Sequence, residues 1–131
     1  MKFILTFMIA FCLILSSCSN TIDKSDPLTS GRGFIEASLK GDYVKAQNYL
    51  LDDSTNIQYF ELLKDFANKM SPEVRRGYSE ANIIIDSSIA PSDSINIIYF
   101  TNSFKQKPSK IKMVKKNKDW LVDFKYTFIG N

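Results

Sequence analysis

The chain contains no histidine, so proton transfer has to be sought among carboxylates, tyrosines and lysines. Asp86, Tyr78 and Tyr99 are the groups that could face a shared cavity. Each also has a plainer place: Asp86 on the wet side of a strand, and the tyrosines with buried rings and hydroxyls at an edge. Asp52 and Asp53 stand just ahead of a helix and read as a cap, because a calcium loop needs further oxygen ligands at alternating positions. Gly31-Arg32-Gly33 lacks both the preceding strand and the length of a phosphate-cradling loop. The two cysteines, Cys12 and Cys18, supply neither a zinc set nor a four-cysteine disulfide framework. No catalytic residue, metal or cofactor is assigned on these grounds, and the expectation is a protein that is not an enzyme.

The one cysteine with a telling context is Cys18. Met1-Lys2 is a short positive start, Phe3 to Leu15 is apolar apart from Thr6, and Ser16-Ser17 places two small residues before the thiol. This is the layout of an export signal. Thirteen helical residues rise only about 20 Å, short of the roughly 30 Å hydrocarbon slab that a spanning helix crosses. Leu15-Ser16-Ser17-Cys18 resembles the bacterial lipobox. The resemblance implies cleavage between Ser17 and Cys18, diacylglycerol on the Cys18 thiol and acylation of the new amino terminus, so that the partner is a lipid bilayer reached through Cys18. Ser19 is not the aspartate that retains enterobacterial lipoproteins in the inner membrane, which favours the outer membrane of the cell envelope. The expected organisation is a signal peptide at 1–17, a lipidated tether at 18–26 and a domain at 27–131. The polar stretch after Cys18 reaches at most about 28 Å when extended, which keeps the domain near the membrane.

From Asp26-Pro27 the pattern is helical. Gly31, Phe34, Ile35, Ser38 and Leu39 share one helix face, and Gly41 is a natural left-handed terminator. Asp42 can cap a second helix from Tyr43 to about Leu51, and Asp52-Asp53-Ser54-Thr55 leads into a third with Phe60, Leu63, Ala67 and Met70 in a stripe that Tyr59, Leu62 and Phe66 widen. Ser71-Pro72 is expected to stop it. The second half reads as sheet: an Ile-rich strand over Asn82 to Ile89, a turn at Ala90-Pro91-Ser92-Asp93, a two-sided apolar strand over Ser94 to Phe104, and a third with Ile111 and Met113 inside and Lys110 and Lys112 outside. Asn117-Lys118 reverses the chain into a last strand with Trp120, Val122, Phe124, Tyr126 and Phe128 inward and Asp123 and Lys125 outward. Three helices followed by about four strands predict an α+β domain with helices on one face of a curved antiparallel sheet.

The lipobox, the run Phe34-Ile35-Glu36-Ala37-Ser38-Leu39-Lys40-Gly41-Asp42-Tyr43-Val44-Lys45-Ala46 and the ending Asp119-Trp120-Leu121-Val122-Asp123 together resemble small bacterial lipoproteins of unknown function with a nuclear transport factor 2-like domain. The likeness extends over about residues 27 to 129. It implies a bent sheet wrapped around a long helix into a cone, whose mouth holds a small ligand, an active site or nothing. Trp120 reads as a core plug in such a cone rather than a stacking platform. The leading expectation is a non-catalytic binding or accessory module, with ligand-binding residues unassigned and a small apolar ligand or an envelope protein as the partner. A structural, protein-interaction subunit of an envelope assembly, using exposed groups such as Leu121 and Ile129, is the alternative. A cone-pocket lyase or isomerase using Asp86 or a tyrosine comes third.

Charge is uneven along the chain. It has 17 basic and 14 acidic side chains, a net +3, yet Lys105 to Lys118 holds seven lysines and no acid. Lys110, Lys112 and Lys116 share a strand face and form a candidate patch for anionic head groups, although outer-strand lysines also deter edge-to-edge pairing. Nucleic acid is not an expected partner, because the patch has no arginine and its neighbouring aromatic, Trp120, belongs to the core.

Overall fold

The computed structural model describes residues 21–129. Ser17, Cys18 and the apolar leader lie outside that range. Helix α1 (Pro27–Leu39) begins where the Asp26 carboxylate accepts the Thr29 N–H at 2.8 Å and Pro27 supplies a pre-set first turn. It ends at Gly41, whose φ of 73° is the left-handed conformation expected of it. Asp42 then caps α2 (Tyr43–Gln47), and Asp53 caps α3 (Ser54–Asn68) by accepting the Asn56 N–H at 2.8 Å. A fourth helix, α4 (Pro72–Ser79), corrects the three-helix expectation. Helix α3 ends at Asn68, ahead of an extended Ser71 as expected, but Ser71-Pro72 also starts the next helix: the Ser71 Oγ accepts the Val74 N–H, and proline sits in the first turn, where it lacks no needed hydrogen bond.

The sheet is an antiparallel meander in the order β1 (Ile83–Ser92), β2 (Ile95–Asn102), β3 (Ser109–Lys116), β4 (Asp119–Asp123). The α+β order is therefore as expected. Strand β1 continues through Ala90-Pro91-Ser92, so the reversal falls at Asp93-Ser94 instead of over the whole polar cluster; register shifts between Ile85 and Ser87 and between Ile89 and Ser92 absorb the extra residues. Asn117, with φ 58°, makes the tight β3–β4 reversal.

Helix α1 lies across the sheet and touches every strand. Gly31 makes that approach possible, since a Cβ there would stand 2.6 Å from Ile98 Cδ1. The core between them contains Phe34, Ile98, Ile111, Met113, Val122 and Phe124, with Phe60 entering from α3. The Phe34 and Phe124 rings are 5.4 Å apart and tilted, and Phe60 meets Phe124 edge-on at 6.3 Å. Trp120 is buried as expected.

The last strand departs from its alternating pattern. It stops at Asp123, and Phe124–Thr127 forms a 3-10 turn. The cause is local capture of backbone groups: the Lys125 N–H donates to Asn56 Oδ1 at 2.7 Å and the Thr127 hydroxyl to the Lys110 carbonyl at 3.0 Å. Phe124 stays inside, but Tyr126 is half-buried and Phe128 is 49% exposed, stacked on Tyr59 at 5.0 Å. Asp123, expected outward, is buried instead.

The segment ahead of α1 is docked. The Lys24 carbonyl accepts the Trp120 N–H at 2.8 Å, and Ile22 packs against the core. Beside it, the Val122 N–H donates to the Tyr49 carbonyl and the Leu51 N–H to the Val122 carbonyl, so the outer edge of β4 is covered.

Candidate functional site

Helix α3 contacts the core through Ile57, Tyr59, Phe60 and Leu63, and its last turn runs past it. Phe60 is buried, whereas Leu63, Ala67 and Met70, further along the same stripe, are half-buried, and Phe66 is 64% exposed. This apolar half-helix faces the end of α1 and the body of α4 across a cavity of about 610 Å³. Its hydrocarbon wall is formed by Leu39, Leu63, Phe66, Ala67 and Met70, with the rings of Tyr43 and Tyr78 beside them. Tyr78 is fixed by an edge-on contact with Phe104 at 5.0 Å. A volume in this range accommodates one small molecule.

The polar groups around this wall are few and of one sign. Lys40 and Arg75 are its charged lining residues, and among the described residues neither forms an ion pair. Burial raises the Tyr43 hydroxyl pKa above the ordinary tyrosine value, while the nearby Arg75 and Lys64 charges pull it the other way. Ser38 also lines the cavity; its Oγ is buried and makes no hydrogen bond among the described residues. Two other hollows differ in character. One has Lys24 with Asp52 and Asp119, and the other has Arg32 and Lys45 with Asp23 and Glu36, so both mix charges.

The cavity is not where a cone mouth was expected. No sheet residue lines it, because Phe34, Ile98, Ile111 and Met113 fill the space between α1 and the sheet.

The three acid-base candidates are not brought together. Asp86 is exposed at the β1 bulge and accepts the Thr101 hydroxyl at 2.7 Å. Tyr99 is half-buried on the β2 face turned from the core, paired with Ser87 and Lys110, and only Tyr78 reaches the cavity. Among the described residues no group of three or more Asp, Glu, Cys or His could hold a metal, and no helix is long and apolar enough to cross a membrane.

The lysine face is partly engaged within the domain. Lys110 and Lys112 lie 5.2 and 5.6 Å from the Tyr126 ring centre, and Lys112 also pairs with Asp123 at 3.7 Å. Lys116 is exposed, as is Ile129, while Leu121 is half-buried. Two groupings were not anticipated from the sequence: the Lys40–Arg75 pair at the cavity, and a network in which half-buried Asp53 and Lys125 meet buried Asn56 and Asp123. Recognising Ser71-Pro72 as a helix start would have exposed the first, and Asn56 at the third position after a capping Asp53 was the available sign of the second. No family model, curated protein or solved structure matches the chain.

Proposed function

We propose that this protein is a membrane-anchored lipoprotein of the bacterial envelope, acylated at Cys18 after cleavage behind Ser17, and that its domain is a non-catalytic binding or accessory module. The observation that carries the binding reading is the hydrocarbon-walled cavity between α1, α3 and α4. The separation of Asp86, Tyr99 and Tyr78 argues against a shared acid-base centre. The nuclear transport factor 2-like cone belongs to the same proposal, supported by the helices-then-meander order. The docking of Ile22 and Lys24 shortens the tether: the four residue steps from Cys18 to Ile22 span at most about 14 Å. On this reading the domain lies against the membrane, in the outer membrane by preference.

Two measurements test the proposal. Metabolic labelling with a fatty-acid analogue is expected to mark the native chain and not Cys18→Ala, which should also leave the membrane fraction; an unchanged label removes the anchor. The neutral dye N-phenyl-1-naphthylamine is expected to brighten with the wild-type protein and not with Ala67→Trp, which fills the cavity. Equal brightening would remove the binding reading.

A second reading, a protein-interaction subunit of an envelope assembly, is favoured by strand β1. Its outer edge pairs with no strand among the described residues, and Ile84 and Ile89 are each 52% exposed. Cross-linking in intact envelopes tests it through photoreactive groups at these two positions.

A further inference from the structure

We infer that the cavity between α1, α3 and α4 takes a single-chain anionic amphiphile of the long-chain carboxylate class, its hydrocarbon against Leu63, Phe66, Ala67 and Met70 and its head at Lys40 and Arg75. The inference rests on the binding-module reading and assigns that module its ligand chemistry.

Three properties of the cavity select this class. First, the wall is hydrocarbon from the end of α1, the last turns of α3 and Met70 after it, and although Leu63 also packs on the core, Phe66 is largely exposed and Ala67 and Met70 are only half-buried, so apolar surface stays open along this wall. A chain of methylene groups covers such a surface, whereas a sugar or nucleotide would leave its own polar groups unpaired there. Second, both charged lining side chains are cations without an acidic partner, while Lys64, just outside the lining, is already paired with Glu61 at 2.9 Å. A cationic ligand is repelled by this arrangement, and a neutral one leaves the guanidinium of Arg75 unmatched; a carboxylate offers it two parallel acceptors. Third, Ser38 lines the same cavity, and its buried hydroxyl has no hydrogen-bond partner among the described residues. The other hollows, with charges of both signs, lack this selectivity.

The test uses the full chain in washed envelopes of the expressing cells, with palmitic acid bearing a mid-chain diazirine as the probe and its methyl ester as the uncharged control. After illumination, cross-linked peptides are mapped by mass spectrometry. The acid is expected to label the segment from Leu63 to Tyr78, and unmodified palmitate is expected to compete. Arg75→Glu should lower labelling by the acid about tenfold, the loss of roughly 1.4 kcal/mol of head-group attraction, without lowering labelling by the ester. Arg75 is exposed and outside the core, so this variant should keep its fold, which circular dichroism verifies. Labelling by acid and ester to equal extents, unaffected by Arg75→Glu, would overturn the anionic class while leaving an apolar binding module in place. Absence of label from this segment with both probes would overturn the ligand and the binding module together.

Discussion

Asn56 and Asp123, 67 residues apart, meet inside the protein: the Asn56 amide donates to Asp123 Oδ1 at 3.0 Å. Asn56 is fully buried, and every polar group it carries has work within the domain. Its side-chain nitrogen also donates to Asp53 at 2.7 Å, and its carbonyl oxygen accepts the Lys125 N–H. Lys125 closes the ring by donating to Asp123 at 2.6 Å. The first turn of α3 is thereby tied to the end of β4, at the point where the strand gives way to the 3-10 turn.

Replacing Asn56 by Leu keeps the approximate volume but removes these bonds and leaves the Asp123 carboxylate short of a donor. The cost is expected to be about 3 kcal/mol, because Asp123 keeps Lys125 but loses its buried amide donor, and the Lys125 N–H is left without its acceptor. A fall in the urea midpoint with an unchanged slope would register it. A midpoint equal to wild type would show that the network is incidental to stability.

The same network sets a pH dependence. The Asn56 N–H, assisted by Lys125, holds Asp53 below its ordinary value of 3.8, so its contribution is full above that value and is lost as pH falls through the depressed one. The Lys125 hydrogen bond to Asp123 raises the lysine above 10.5, so that contribution is full below 10.5 and is lost as pH rises through the raised value. Burial raises Tyr43 and Tyr49, which adds alkaline loss from about pH 10.0 upward. Lys125→Met is therefore expected to shrink the acid loss and to reduce, without abolishing, the alkaline one. Melting temperatures from pH 2 to 11 measure both limbs.

Much of this fold is legible from residue patterns, and the exceptions have a common origin. Asp26, Asp42, Asp53, Gly41 and Asn117 act within one turn of themselves, so their roles follow from local chemistry. The alternation of Ile111 and Met113 with Lys110 and Lys112 reports the pleat directly. The end of β4 obeys a distant residue: Asn56 takes the Lys125 N–H that a longer strand would have used, and no pattern within 119–129 encodes that. The cavity is hidden for a similar reason. Leu63, Ala67 and Met70 have the spacing of a core stripe, and only the position of α4 decides that they line a hollow.

Gly31 weakens α1 by propensity yet serves its packing. An alanine methyl there must displace Ile98, with Ile111 and Met113 Sδ at 3.2 and 3.3 Å behind it. Gly31→Ala is expected to lower stability by roughly 2 kcal/mol through overpacking, more than the helix gains in propensity. Thermal melting decides the sign, and a stabilised variant would mean that α1 can lift from the sheet at little cost.

Asp86 supplies the opposite expectation. Its carboxylate is exposed and, among the described residues, bonded only to the Thr101 hydroxyl on the neighbouring strand. Asp86→Asn retains an acceptor for that bond and is expected to change stability by less than about 0.5 kcal/mol. Probe binding in the α1–α3–α4 cavity should also be unchanged. A loss of binding with the fold intact would bring Asp86 back as a functional group.

The residues ahead of α1 act as an edge cover. The Lys24 carbonyl holds the Trp120 N–H, Lys24 Nζ lies 3.8 Å from Asp119, and Ser30 donates its hydroxyl to the Trp120 carbonyl at 2.6 Å. The exposed ion pair adds little, so the backbone bond and the packing of Ile22 hold this segment in place. Replacing Ile22 by Gly removes the packing without touching the bond itself. Amide exchange at Trp120 should then quicken by about tenfold, the effect of losing roughly 1.4 kcal/mol of local protection. Exchange at Met113, which is fully buried in β3, should not change. Equal acceleration at both amides would mean that Ile22 supports the whole domain, and no acceleration at Trp120 would mean that β4 keeps its edge closed without the segment that leads to Cys18.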